Sequence, residues 1–286
     1  MPRPLVYLDT SAINSLHAAL SRGIVTPSAV DRHQFVVSSC QLDEIALSEP
    51  EKAADLASVL WSHSNRRKLR DHVELTELEV RAALRGRGPA FHEYYDDGDT
   101  GFKRAWRAMR ERRASPEQRT ALRAQVEQAK SAFKVAGKLE RELFKSLRES
   151  VQGYDFKSGW KAMLRDLRRD GRIGELVWST LSRDPFSNVA ADFRESEVIA
   201  VDYLRLPTTA VGLEYYLARR YVADFGSGEI ARPSRGDQVD FRHSYYAGLV
   251  DIFVSGDDIM LTLLREFVKA DTAEILSAQD FIASLR

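Results

Sequence analysis

The sequence predicts an α/β fold, a short parallel sheet flanked by helices with a central helical insertion, and three observations carry that prediction. The first is the run Leu5-Val6-Tyr7-Leu8, continuous in apolar side chains as a strand buried on both faces must be, and followed at once by Asp9-Thr10-Ser11, residue types that cap helices. The second is the recurrence of this unit at Gln34 to Val37, where an apolar run closes on Ser38-Ser39 before a helical pattern. The third is its return at Ile252 to Val254, with helical patterns on either side. Strands that alternate with helices imply parallel pairing, because a parallel crossover needs a dozen or more residues and a helix supplies them.

In chain order, Pro4 to Leu8 is the first strand and Ala12 to Leu20 the first helix. Gln34 to Val37 leads into a helix from Gln41 through Ala46, with Glu44 on its early turns, and Pro50 opens a further helix, Glu51 to Trp61. Val73 to Leu78 fits either a strand or the entry to a helix ending at Leu84. From Arg85 the texture changes: GRGPAFHEYYDDGDTG precedes a long block poor in Gly and Pro. There Phe102, Ala105, Trp106 and Met109 recur at helical spacing, while Lys103, Arg104, Arg107, Arg110 and Arg113 fall largely off that face. Ser115-Pro116-Glu117 signals a helix running towards Leu147, and helices follow at Gly159 to Arg169 and Ile173 to Ser182. The final third returns to α/β texture: Val198 to Leu206 strand-like, Pro207 to Tyr221 and Phe241 to Val250 helical, Asp257 to Phe267 helical, Glu274-Ile275 a short strand, Ser277 to Leu285 a last helix. The domain reading is therefore a discontinuous domain of residues 1–85 and 190–286, interrupted by a basic helical insertion, 86–189.

Composition excludes several classes. Forty-two Lys and Arg balance forty-two Asp and Glu, and neither a long apolar run nor the low hydrophobicity of a disordered chain is present. The apolar start is too short for a secretory signal, and the single cysteine, Cys40, can form no internal disulfide, so a cytoplasmic protein without a membrane partner is expected. The charge is unevenly spread: residues 101–150 hold fourteen Lys and Arg against six Asp and Glu. Such an excess, interleaved with Trp106, Phe133, Phe144, Tyr154, Phe156 and Trp160, suits contact with a nucleic-acid backbone, although most of those aromatics are expected in the core.

Ligands of open parallel sheets bind beyond the carboxyl ends of the strands, where Asp9 and Asp257 are aimed by the strands they follow. Glu44, on the helix after the second strand, and Asp240, near the head of the helix that feeds the last apolar strand, complete a set of four that one cleft can gather. Clustered carboxylates repel one another, and the usual reason to assemble them is a hard cation such as Mg²⁺ or Mn²⁺. Such ions support hydrolysis of a phosphodiester by water without a protein nucleophile. Asp251 precedes its strand and is expected to be structural. His243, one turn after Asp240, could contact a substrate phosphate or pack against Tyr246. The clustered acidic residues of His92 to Asp99 read as a solvated loop.

The residues VYLDTSAIN, FVVSSCQLDEI and DFRHSYYAGLVDIFVSGDDIML together resemble PIN-like nuclease domains, over about the first eighty and last ninety residues. The resemblance implies a PIN-like sandwich and single-strand-directed endoribonuclease activity dependent on Mg²⁺ or Mn²⁺. It matches Asp9 and Glu44 to the first two acidic positions. For the third it offers Asp240 ahead of Asp237, and for the fourth Asp257 beside Asp258. Ser11, in the Asp-x-Ser turn, resembles the hydroxyl that helps order the first aspartate or its metal-bound water. The family also contains inactive members that bind nucleic acid or protein partners, and flap-type DNA nucleases. Free-standing members are often toxins or defence proteins, which makes an antitoxin a possible partner by analogy.

Overall fold

The computed structural model describes residues 3–96, 98, 100–111, 120, 124, 151–182, 190–232 and 237–286. Six strands, β1 (Leu5–Leu8), β2 (Gln34–Ser38), β3 (Ser64–Leu69), β4 (Tyr95–Asp96), β5 (Ile252–Ser255) and β6 (Glu274–Ser277), form one sheet in the order β4-β3-β2-β1-β5-β6. All neighbours are parallel except β3 and β4, so the sheet is mixed rather than purely parallel. The described helices are α1 (Thr10–Ser21), α2 (Pro27–Val30), α3 (Ser39–Ala46), α4 (Pro50–His63), α5 (His72–Leu84), α6 (Thr100–Arg110), α7 (Phe156–Arg169) and α8 (Arg172–Ser182). They continue with α9 (Glu195–Ile199), α10 (Pro207–Phe225), α11 (Asp237–Ser244), α12 (Asp258–Glu266) and α13 (Ala278–Ser284).

The continuous apolar run of β1 divides between two cores because successive side chains of a strand point to opposite faces. Tyr7 faces one core with Val36, Leu69 and Phe253, covered by α5, α7, α8 and α10. Val6 and Leu8 face the other with Phe35, Val37 and Val254, covered by α1, α4, α6 and α13. The described parts of 86–189 belong to these same layers. β4 extends the sheet and Trp106 of α6 lies in the second core; Trp160 of α7 lies in the first. Both indoles are satisfied, Trp106 Nε1 donating to the Ala57 carbonyl at 3.3 Å and Trp160 Nε1 to the Phe267 carbonyl at 2.9 Å. They are core residues rather than stacking platforms, whereas Tyr154 and Phe156 are exposed. Phe133, Phe144 and the helix predicted from Ser115 towards Leu147 lie outside the described residues.

Several expectations are corrected. Val198 to Leu206 is not a strand: it holds the end of α9 and a 3₁₀ turn at Tyr203–Arg205, with Val198, Tyr203 and Leu206 buried against α10 and its neighbours. A short apolar run serves either geometry, and here the contacts decide. Val73 to Leu78 is helical, opened by an Asp71 and Glu74 capping box. The helix expected over Phe241 to Val250 begins earlier, at Asp237, and tightens into a 3₁₀ turn at Tyr245–Gly248. The acidic stretch from His92 is not wholly solvated, because Tyr94 and Tyr95 are buried and β4 pairs with β3. Strand β3, SNRRKL, carries no apolar signal until its last residue. It is irregular against β2 between Phe35 and Val37, and Arg66 within it takes φ 58°, a left-handed conformation that costs a branched or long side chain energy. No described helix is long and apolar enough to cross a membrane.

Candidate active site

The carboxyl ends of β1, β2 and β5 lie side by side; β1 and β5 each end in a hydrogen-bonded turn that carries an aspartate, and β2 leads into α3, which carries Glu44. Asp9 follows β1 and caps α1, its Oδ1 accepting from Ala12 N at 2.7 Å and from the Ser11 hydroxyl at 2.6 Å. Its Oδ2 accepts from the Ser255 hydroxyl at the end of β5. Only 5 % of Asp9 is exposed. The same two serines close the turn after β5: Gly256 N donates to Ser11 Oγ at 2.8 Å and Asp257 N to Ser255 Oγ at 2.9 Å. A Cβ on Gly256 would lie 2.6 Å from Ser11 Oγ, so this approach requires glycine. Asp257 then caps α12, accepting from Met260 N at 2.7 Å, while Asp258 is exposed on the helix's first turn.

Glu44 is placed by α3, and α3 is fixed to β1. Ser38 and Gln41 form a capping box at its start, and Gln41 Nε2 donates to the Leu8 carbonyl at 2.6 Å. Glu44 Oε2 accepts from the Thr10 hydroxyl and lies 2.7 Å from His243 Nε2. Burial would raise the Glu44 carboxyl, but His243, Thr10 and Arg242 outweigh it and hold the group below its ordinary value. His243, 1 % exposed, is tied on its other side: Nδ1 lies 2.6 Å from the Tyr7 hydroxyl, itself 3.0 Å from Ser38 Oγ. Cys40 Sγ is 3.5 Å from Nε2. Burial pushes the imidazole down, yet Cys40 and then the Glu44 carboxylate beside it hold the group well above its usual value. The sequence offered His243 as a phosphate contact or a packed core residue; it is buried, and it is bonded to Glu44. Next to it Arg242 donates to Asp43 at 3.0 Å, joining α11 to α3 a second time.

Asp240 lies one turn before His243, half-buried, and makes no hydrogen bond among the described residues. Burial and then the charge of Asp257 raise its carboxyl to about 8; Glu44 and Asp237 add to the shift and His243 opposes it. Asp257, Glu44 and Asp237 therefore all act electrostatically on Asp240, and Asp9 is hydrogen-bonded to the β5 turn that carries Asp257. Asp237 is also ion-paired, Oδ1 to the buried Arg219 at 3.0 Å. Tyr215 of α10 faces the same carboxylates. Its buried phenol is raised by burial and then by Asp240, Asp257 and Asp237, and it has no hydrogen-bond partner among the described residues. Its only sequence signal was a polar tip on an otherwise buried helix. Asp251 sits at the opposite edge, accepting from Leu5 N at 2.8 Å, the structural role expected of it.

Among the described residues no three His, Cys, Asp or Glu side chains close to metal-ligand spacing. The donor set is nonetheless all oxygen, which suits a hard cation. Mg²⁺ keeps several of its waters and takes only one or two carboxylates directly, so an open cleft accommodates it without a closed protein cage. The chain matches no protein-family model, no curated protein and no solved structure.

Proposed function

We propose that this chain is a divalent-metal-dependent nuclease of PIN-like architecture, a single-strand-directed endoribonuclease, with Asp9, Glu44, Asp240 and Asp257 facing Mg²⁺ or Mn²⁺ and Asp237 at the margin. The observation that carries the reading is Asp240. A half-buried carboxyl with no donor among the described residues, raised to about 8 by burial and by neighbouring carboxylates, is an arrangement that positive charge would relieve. Bound there, the ion would supply the Lewis acidity that stabilises charge developing at a phosphodiester and makes water a competent nucleophile at neutral pH.

The chain's own residues do the rest. Ser11 and Ser255 fix the rotamer of Asp9 by donating to its two oxygens, and Thr10 and His243 fix one oxygen of Glu44. Asp240 holds a proton at neutral pH while the cleft is empty and loses it as positive charge enters. Tyr215, with no partner for its hydroxyl among the described residues, has a donor to offer to water or to a phosphate oxygen. Substrate contact is supported by α6, which packs against α3 and exposes Arg104 and Arg107. A toxin or defence role with an antitoxin-type partner, acting in the cytoplasm, extends the reading by analogy.

The test is cleavage of single-stranded RNA with and without Mg²⁺ or Mn²⁺, beside Asp9→Asn, with branched DNA offered in parallel. Metal-dependent RNA cleavage lost in the variant supports the reading; preferential cleavage of branched DNA moves it to a flap-type nuclease. One observation favours a rival: Asp9 already accepts three internal hydrogen bonds, as it would in a silent member of the fold that binds nucleic acid or protein. Binding without cleavage in both proteins would establish that rival.

A further inference from the structure

Glu44 is held by a buried histidine that is hydrogen-bonded on both sides of its ring. His243 Nε2 lies 2.7 Å from Glu44 Oε2 and its Nδ1 lies 2.6 Å from the Tyr7 hydroxyl. Glu44 cannot donate when ionised, so the Nε2 proton belongs to the imidazole and points at the carboxylate, whether the ring is neutral or charged. With a neutral ring the donors run in one direction: Ser38 hydroxyl to Tyr7 oxygen, Tyr7 hydroxyl to Nδ1, Nε2 to Glu44. With a charged ring Nδ1 donates to Tyr7, whose hydroxyl turns to Ser38. Both arrangements present the same Nε2–H to Glu44.

The chain joins three elements that each carry a cleft carboxylate. Tyr7 and Asp9 are two residues apart along β1 and at its end, His243 and Asp240 are one turn apart on α11, and Glu44 is on α3. Tyr7 is itself immobilised, stacked on Tyr246 with centroids 4.5 Å apart and on Phe253 at 5.6 Å. Stability alone does not demand the contact with Glu44, because that side chain is 28 % exposed and water could serve it. What the contact does is select one oxygen. Oε2 takes Thr10 and His243, and Oε1 takes no protein donor among the described residues.

We propose that His243, seated on Tyr7, is a positioning residue that fixes Glu44 through Oε2 and so leaves Oε1 as the oxygen presented to a divalent cation. The proposal rests on the cation reading of the cleft. Hydrogen bonds to ligating carboxylates restrict the rotamers that the ion would otherwise have to select, and losing one weakens metal affinity by about 10–100-fold.

The experiment is Mn²⁺ titration of the full chain, followed by the electron paramagnetic resonance signal of the free ion, with no substrate present. His243→Leu and Tyr7→Phe are each expected to weaken binding by at least about tenfold. Tyr7→Phe keeps the ring stack and removes only the hydroxyl, so it remains informative if His243→Leu does not fold. His243→Gln, which retains a side-chain amide donor, should recover most of the loss. In a Glu44→Gln background, His243→Leu should add nothing, which a general loosening of the core would not produce. Nitrogen-15 spectra of the metal-free chain should show Nε2 protonated. Wild-type affinity in both His243→Leu and Tyr7→Phe, or an unprotonated Nε2, overturns the proposal and leaves the cation site standing. If the unaltered chain binds no Mn²⁺, the cation reading falls and this proposal falls with it.

Discussion

Ser255, the last residue of β5, donates its hydroxyl to Asp9, the residue that follows β1. The two strands are neighbours in register, Leu8 against Val254, so the contact joins the ends of adjacent strands rather than bridging distant loops. Residues distant in sequence thereby meet at the carboxyl edge of the sheet.

Ser255→Ala tests this lash directly. The hydroxyl is fully buried and serves twice, as donor to Asp9 and acceptor from Asp257 N. A buried hydrogen bond to a charged group contributes about 1.5–3 kcal/mol, and denaturant unfolding should show a loss of that size. A change inside about 0.5 kcal/mol, the scatter of ordinary surface substitutions, would mean that the contact does not organise the turn.

Asp240→Asn should make the metal-free protein more stable, not less. The folded carboxyl titrates at about 8, above its unfolded value of 3.8, so the folded state binds the extra proton between those values. Stability from this group is full below pH 3.8 and is lost as pH rises through 8. The asparagine variant avoids that loss, so its advantage should grow from pH 5 to pH 8, reaching several kcal/mol. Thermal melts across that range, without divalent ions, provide the measurement; an advantage that shrinks as pH rises contradicts the account.

Cation binding and that proton should compete. Below pH 8 Asp240 must lose its proton as Mn²⁺ enters, so affinity should rise with pH and level off above 8. Calorimetry near pH 7 in buffers of different ionisation enthalpy should detect close to one proton released per ion. Release that persists undiminished in Asp240→Asn would assign the proton elsewhere.

Glu79 tests the scaffold behind the site. It is fully buried on α5 and accepts from Thr208 N at 2.9 Å and Thr209 N at 3.0 Å, the opening residues of α10, which carries Tyr215. Burial raises its carboxyl against those bonds. Glu79→Ala strands two buried N–H groups and should cost about 2–5 kcal/mol in denaturant unfolding. A near-neutral result would show that α10 is held in place by packing alone.

The legible parts of the sequence were those where one residue type had one structural use. β1, β2 and β5 are apolar runs ended by capping residues, and both the strands and the turns holding Asp9, Ser38 and Asp257 follow from that pattern. β3 was hidden because Lys68, buried and ion-paired to Asp96 at 3.6 Å, gives a sheet position a surface residue's appearance. The Tyr7–His243–Glu44 chain was hidden for another reason. Its hydrogen bonds span 236 and 199 residues, and a helical histidine carries no local sign of which strand it will meet. Asp240 was legible as an acidic helix head, but the absence of a donor to it among the described residues was not.

The central claim is that this cleft holds a divalent cation, and the most direct measurement is anomalous scattering from crystals of the protein soaked in Mn²⁺. The account predicts a manganese peak between Asp9, Glu44, Asp240 and Asp257, with Glu44 reaching it through Oε1, and no such peak in Asp240→Asn. A bare cleft under the same soak, or manganese bound only away from these four carboxylates, would contradict it.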